Sequence, residues 1–242
     1  MINNMRINIK EEEARGLAEE YYVRICGLDL EKEKHRRMYQ ESRQVWEQGI
    51  QGISIDALVA SFGPDAFRGG KVVAGDMELH CNAFAQIPDA NVRGVYLYMI
   101  TAGECRCGHD EPITRRLFAD IWGTSYVDAG RDLLNERIRQ WAEEDLRADP
   151  SGGRYLSNCF GPGFYGMDLV ETRNLYRILN GDEIGVKVMD SGIMLPLKTC
   201  AGLYLVVEDP DKLPAAECQA CIGNPSGCKF CKLSRKNRRK EH

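Results

Sequence analysis

Four cysteines near the C-terminal end of the chain have the spacing of a metal site. They form two CxxC pairs in the stretch CQACIGNPSGCKFC, and the four are Cys218, Cys221, Cys228 and Cys231. A CxxC turn lets two thiolates reach one ion, and four thiolates complete a tetrahedral zinc site or hold an iron–sulfur cluster. The loop between the pairs contains two glycines and a proline, which favour a tight turn. The sequence therefore predicts a four-cysteine metal site.

The spacing of the two pairs leaves the identity of the metal open. Six residues separate the pairs, whereas roughly 15–20 separate them in a typical CxxC zinc site. A small zinc knuckle still fits this spacing, and an iron–sulfur cluster (4Fe-4S) has no unique spacing. Both zinc and a cluster remain candidates.

Composition places the chain among ordinary soluble proteins. It has 242 residues, of which 43% are hydrophobic and 28% charged, as in globular domains. We see no apolar run of about 18 residues that would cross a membrane and no secretory signal at the N-terminus. We expect a cytoplasmic protein with reduced thiols, so its ten cysteines suggest metal binding or redox chemistry.

The charge is unevenly distributed. The net charge is −4, yet the tail after Cys231 contains six basic residues and one acidic residue. A nucleic-acid-binding protein normally has a basic domain, so we do not expect nucleic acid as a partner. We interpret the tail as solvated, with contact to an acidic partner as the alternative.

A second group of metal-ligand residue types lies in the stretch CRCGH. Cys105, Cys107 and His109 alternate as they would on a strand or turn. A second metal site is one interpretation. Buried thiols with a surface histidine are the favoured one, because free cysteine is commonly buried.

Hydrophobic periodicity and turn residues predict a mixture of helices and strands. The predicted helices are 11–27, 30–49, 113–123, 127–146 and 168–179, and the predicted strands are 78–87, 92–101, 154–160, 183–189 and 201–207. The two central helices are separated near Gly123, and Asp168 with Glu171 suggests a capping box. Because strands and helices do not alternate regularly, we predict an α+β fold.

The glycine-rich turn GPGFYG at residues 161–166 offers backbone amides beside two aromatic rings. Pro162 restricts the backbone, and Gly163 permits positive φ. Phe164 and Tyr165 add aromatic surface. Such a turn is able to hold an adenine or a carboxylate, or it serves only to connect a strand to a helix.

The order of motifs after this turn resembles a known family. The turn PGFYG is followed by a helix ending in LYRILN and then by EIGVKVMDSGIMLPLKTCAGLYLV. This order is similar to the activation domain of cobalamin-dependent methionine synthase, and to the stand-alone proteins with that domain that accompany corrinoid methyltransferases. The similarity covers about residues 120–206. The positions that match the family's motifs are 175–179, Ile184, Gly185, Met194, Pro196, Lys198 and Gly202.

The resemblance implies a fold and a division of the chain. We expect residues 1–206 to form a methionine synthase activation-domain-like α+β domain, with a helical N-terminal part and an antiparallel or mixed sheet with helices. Residues 207–242 then provide a linker, a small four-cysteine module and the basic tail.

The resemblance also implies a function: a reactivation or redox partner of a corrinoid-dependent methyltransferase, within a methyltransferase or reductive activation system. The family binds S-adenosylmethionine at the turn, here Pro162, Gly163, Phe164 and Tyr165, while cobalamin belongs to a partner corrinoid protein. The family's arginine, three residues before the turn proline, is Cys159 here. The four-cysteine site would accept electrons from a donor protein. The alternative is a non-catalytic partner-binding or electron-transfer protein that has lost S-adenosylmethionine binding.

The predicted four-cysteine site is tested by the metal content of protein purified without oxygen. A cluster gives a brown protein with visible absorption that dithionite bleaches, whereas a zinc site gives colourless protein with one zinc per chain. A double Cys218→Ser, Cys221→Ser variant should lose the metal because two of four thiolates are removed. Wild-type protein with neither iron nor zinc would contradict the prediction.

Overall fold

The strands and helices of the protein are defined by a computed structural model that describes residues 4–48, 50–108, 110–148 and 155–215. The helices are α1 (Glu11–Cys26), α2 (Glu33–Glu47), α3 (Ile113–Ala148) and α4 (Glu171–Leu179). The strands are β1 (Met5–Ile9), β2 (Gln51–Phe62), β3 (Phe67–Arg68), β4 (Lys71–Ala74), β5 (Met77–His80), β6 (Val92–Arg106), β7 (Tyr155–Leu156), β8 (Lys187–Val188), β9 (Met194–Leu195) and β10 (Thr199–Val207).

A five-stranded sheet in the order β1-β2-β6-β10-β7 forms the centre of the fold. Every neighbouring pair in it is antiparallel. Strands β3, β4 and β5 form a small second sheet, and β8 pairs with β9. The mixture of helices with antiparallel sheet confirms the predicted α+β class.

The central sheet is covered on both faces. Strand β6 alternates between two cores: Tyr98 and Ile100 belong to one, and Leu97 and Met99 to the other, as the two-residue period of a strand requires. The first core lies under α1, α2 and α3, and the second lies under α4 and the small sheet. Burial on both faces explains why β6 is a nearly continuous apolar run.

Helix α3 passes through Gly123 without a break, so the predicted separation into two helices was wrong. A side chain at Gly123 would place its Cβ 2.6 Å from the Cβ of Cys105, and one at Gly130 would lie 2.7 Å from Cγ2 of Ile55. Both glycines therefore let the helix approach the sheet closely. The neighbouring Trp122 is buried and donates its Nε1–H to the carbonyl of Ser42 at 3.0 Å. This packing holds the helix despite the low helix propensity of glycine.

Three predicted strands are shorter than expected. Segment 78–87 is a strand only to His80, and Asn82–Gln86 forms a short 3-10 helix. Its first amides bond to the carbonyls of Tyr165 and Gly166 instead of to a strand partner. Segments 154–160 and 183–189 are strand only at β7 and β8, since their other described residues form turns and single bridges.

The capping box predicted at the start of α4 does not form. The helix begins at Glu171, and the carboxylate of Asp168 accepts the amide of Val170 at 2.9 Å. Glu171 accepts instead from Nδ2 of Asn174. The first turn is thus closed by a local turn of Asp168 rather than by reciprocal capping.

The folded unit continues past Val207. Asn91 bonds through both side-chain atoms to the backbone of Asp209, at 2.9 and 3.0 Å, and Arg93 pairs with Glu208 at 2.6 Å. Leu213 packs against the second core. None of the helices in the described ranges is long and apolar enough to cross a lipid bilayer.

The close approach of α3 to the sheet is tested by replacing Gly123 with alanine. Alanine favours a helix by about 1 kcal/mol, but its Cβ would overlap Cys105, so Gly123→Ala should lower the free energy of unfolding by about 1–3 kcal/mol. The matched control is Gly16→Ala in α1, where no atom lies within 4 Å of the added Cβ and stability should rise. Equal stabilisation by both variants, measured in urea, would contradict the packing.

Candidate functional site

The glycine turn at residues 161–166 follows directly from pairing with β10. Phe160 and Leu203 exchange two backbone hydrogen bonds of 2.9 and 2.8 Å, and the chain then leaves the sheet. Within the turn, the amide of Phe164 donates to Gly161 and the amide of Gly163 to Met167, both at 2.9 Å. Gly163 has a φ of +86°, a conformation open to glycine at little cost.

The two aromatic residues of the turn have different environments. The carbonyl of Tyr165 accepts from the amide of Ala83 and from the thiol of Cys81, both at 3.2 Å. Its ring packs on Phe160 with 4.7 Å between centroids. Phe164 is 59% exposed. Tyr165 thus anchors the turn, and Phe164 presents an aromatic face to solvent.

Several apolar side chains in the turn and in the chain after it are exposed. We call them the apolar rim, which consists of Phe164, Leu169, Val170, Met189, Ile193, Leu195 and Leu197. The rim residues belong to two segments, 164–170 and 189–197. These segments touch, because a Cβ at Gly192 would lie 2.6 Å from the carbonyl oxygen of Leu169. An ion pair of 2.9 Å between Arg173 and Asp190 ties the second segment to α4. Exposed apolar surface, where it forms a patch, marks an interaction site.

A charged group lies on the helical side of the sheet, beside the strand that precedes the turn. Arg131 of α3 pairs with Asp128 at 3.1 Å and with Asp132 at 3.5 Å. We call these three residues, together with the nearby Tyr98, Cys159 and Cys200, the Arg131 cluster. Its charged side chains are each between 24% and 40% exposed, so a ligand has access to them.

Cys159 occupies a confined position in this cluster. Its Sγ lies 3.2 Å from the hydroxyl oxygen of Tyr98. A Cβ at Gly202 would come within 2.9 Å of the same sulfur. The resemblance assigns Cys159 to the position of the family's arginine, and Arg131 brings a guanidinium into the surroundings of Cys159 from another element.

In the Arg131 cluster, burial and the neighbouring charges shift the pKa values of the side chains in opposite directions. Burial raises the pKa of Cys159, while the Tyr98 hydroxyl and Arg131 act to lower it. Burial would lower the pKa of Arg131, but Asp128, Cys200, Tyr98 and Asp132 together outweigh it, and the pKa is raised. Burial raises the pKa of Asp128 against the opposing effect of Arg131.

Helix α1 also contacts the Arg131 cluster. Tyr21 donates its hydroxyl to Asp132 at 2.5 Å. Burial, and then this hydrogen bond, raises the pKa of Tyr21 to about 12. The cluster thus offers a guanidinium for a carboxylate and two carboxylates for a cationic group, and it carries a net charge of −1.

The CRCGH stretch lies at a pocket of about 370 Å³, which Leu195 and Leu197 of the apolar rim also line. Cys105 and Cys107 line it together with Lys198, which pairs with Asp120 at 2.7 Å and donates to Thr124 at 3.0 Å. Cys105 is buried and Cys107 is partly buried. His109 lies outside the described residues.

The predicted four-cysteine site also lies outside the described residues, so Cys218, Cys221, Cys228 and Cys231 stay a prediction. Within the part of the chain that the structure describes, no three or more His, Cys, Asp or Glu side chains are grouped to hold a metal ion.

Comparison with known proteins gives a similarity of fold. No family model matches this sequence, and no curated protein matches it. Among solved structures, the chain is similar to the MetH reactivation domain bound to AdoHcy, with a TM-score of 0.65 and 15% identity. The match covers 99% of this chain and 86% of that one. The two proteins share a fold.

This similarity agrees with the resemblance noted from the motif order, and it extends the shared fold beyond residues 120–206. Sequence analysis did not identify Asp128, Arg131 or Asp132 as site residues. Their spacing was a usable signal, because positions three and four apart lie on one face of a helix.

The buried thiol of Cys105 makes stability depend on alkaline pH. Burial raises its pKa from 9 to about 12, so between these values the folded chain keeps a proton that the unfolded chain loses, and stability falls as pH rises. The loss approaches about 1.4 kcal/mol per pH unit for one thiol. Urea unfolding between about pH 8 and about pH 10 should show a shallower decline for Cys105→Ser than for wild type. Parallel declines would be the contrary result.

Proposed function

We propose that this protein binds S-adenosylmethionine and acts as the reactivation or redox partner of a corrinoid-dependent methyltransferase. The observation that carries the proposal is the Arg131 cluster around Cys159, two residues before the glycine turn, on a fold shared with a domain that binds AdoHcy. Cobalamin would belong to the partner.

The charges of the ligand complement those of the cluster. The methionyl end of S-adenosylmethionine carries a carboxylate, an ammonium group and a sulfonium. The Arg131 guanidinium would bind the carboxylate, because its planar fork matches that geometry. Asp128 and Asp132 would bind the cationic groups. This arrangement accounts for Cys159 at the family's arginine position, since the guanidinium comes from α3 instead.

The exposed aromatic and apolar side chains support adenine binding and contact with the corrinoid partner. Phe164 offers a face on which an adenine would stack, as bases do on exposed aromatic rings. The apolar rim would contact the partner corrinoid protein and exclude water from the reacting groups. When bound, S-adenosylmethionine supplies the methyl group that traps a reduced corrinoid, while this chain binds and orients it.

The second candidate function is to bind the corrinoid partner without binding S-adenosylmethionine. Asp128 and Asp132 already neutralise Arg131, and the family's arginine position is Cys159, which favours a partner-binding or electron-transfer protein. The four-cysteine motif would then supply a cluster, with potentials extending to about −700 mV, or a structural zinc site.

Calorimetry with S-adenosylmethionine separates these functions. Wild-type protein should show saturable binding, and Arg131→Lys should bind at least about tenfold more weakly, or about 1.4 kcal/mol, because lysine lacks the bidentate fork. AdoHcy should also bind more weakly, since it lacks the sulfonium charge.

The matched control is Arg137→Lys on the same helix, where the arginine pairs with Glu13 at 2.7 Å. Its affinity should equal that of wild type. Absence of saturable binding by wild-type protein would exclude the methyl donor and favour the second function. Equal affinities of Arg131→Lys and Arg137→Lys would remove Arg131 from the site.

A further inference from the structure

Two cysteines one residue apart line a single pocket that the proposed methyl-donor site does not use. Cys105 and Cys107 lie at the end of β6 and open into the pocket of about 370 Å³ described above. Both pack against the helical core, Cys105 as a buried member and Cys107 at its margin. Reactive cysteines are partly exposed, and redox-sensing cysteines often lie next to a second, resolving cysteine.

The backbone at Cys105 is held in an uncommon conformation. Its φ is +44°, in the left-handed region, which costs a side chain other than glycine about 1–3 kcal/mol. The register between β2 and β6 also shifts near this end of the strand. Helix α3 has a glycine at position 123, where any Cβ would overlap Cys105. The surrounding structure thus maintains a strained cysteine at a cost, which is typical of a functional position.

The spacing allows a disulfide between the two residues. Residues i and i+2 have Cα atoms at most about 7 Å apart, and disulfides require about 4.4–6.8 Å. A disulfide closed over one residue in strained backbone is readily reduced, so the pair is suited to reversible chemistry rather than to structural support.

The two thiols differ in accessibility, and this difference assigns their order of reaction. Cys105 is 4% exposed and donates its thiol hydrogen to the carbonyl of Ala102 at 3.1 Å. Burial raises its pKa to about 12, which makes it a poor first nucleophile. Cys107 is partly exposed and is the thiol that an incoming reagent meets first.

The charges around the pocket select the reagent. Arg106, Arg116 and Lys198 line it, against Glu104 and Asp120. Glu104 pairs with Arg106 and Asp120 with Lys198. Arg116 has no ion-pair partner among the residues that the structure describes, so a positive charge remains to bind an anionic group. The volume is that of a small-molecule site.

We propose that Cys105 and Cys107 form a redox-active dithiol that reacts with anionic low-molecular-weight disulfides. The Cys107 thiolate attacks one sulfur of the reagent, forms a mixed disulfide and releases the first thiolate. Cys105 then loses its proton and attacks Sγ of Cys107, which releases the second thiolate. Two thiols of the protein are oxidised to one disulfide while one disulfide is reduced to two thiols, and the reverse reaction restores the dithiol. This activity does not depend on the proposed function.

The test uses the full-length protein with oxidised glutathione as the anionic probe. After reaction and blocking of free thiols, trypsin cleavage at Arg106 separates the two cysteines onto different peptides. The expected product joins these peptides by a disulfide or, where cleavage fails, leaves one peptide lighter by two hydrogens. Cystamine, a cationic disulfide, should react at least about tenfold more slowly because of the charge on Arg116.

Two variants complete the test. Cys105→Ser should accumulate a stable glutathione adduct at Cys107, and Arg116→Gln should lose the preference for oxidised glutathione over cystamine. Folding of each variant is checked by thermal unfolding. The tryptic mapping of the disulfide uses wild-type protein, so it does not depend on the folding of a variant. The proposal is overturned if both cysteines of wild-type protein stay alkylatable after oxidation, or if either one pairs with another cysteine of the chain.

Discussion

The close packing of helix α3 on the central sheet is the constraint on which the rest of the structure depends. Gly123 and Gly130 remove the side chains that would hold the helix away from β2 and β6. Trp122 fills the space beside them and stacks on Tyr22 of α1 at 4.4 Å. The three N-terminal helices and the sheet therefore form one rigid support.

This packing aligns two groups of polar side chains along one stripe of the helix. Asp120 and Thr124 bond to Lys198 at the cysteine pocket, and Asp128 and Arg131 form the charged cluster one turn further on. On the facing chain, Lys198 just before β10 and Cys200 within it both face the helix, as a two-residue period requires. One helix stripe and one strand face thus carry both groups.

The sequence predicts those features of the fold and the candidate site that local contacts determine. It does not predict the features that depend on residues distant in sequence. The glycine turn and the motif order are local, and they indicated the fold and a candidate region for the site. The local sequence around Gly123 indicated a helix break. The reason for a glycine at this position is its contact with Cys105, which is distant in sequence and therefore not visible in the local pattern. That predicted break separated Asp120 from Arg131 and hid their common stripe.

Strand β2 was missed for a related reason. Asp56 interrupts its apolar pattern, yet this carboxylate is nearly buried and is held by Arg6 at 3.2 Å, Asn8 at 3.3 Å and Ser54 at 2.6 Å. A buried carboxylate is acceptable only with such partners, and two of the three come from β1. The sequence pattern alone does not reveal that pairing.

A crystal structure with S-adenosylmethionine or AdoHcy bound tests the central claim most directly. The account predicts ligand density beside the glycine turn, with the methionyl carboxylate on the guanidinium of Arg131. Density at another surface, or a ligand at the turn that leaves Arg131 paired only with its two aspartates, would contradict it.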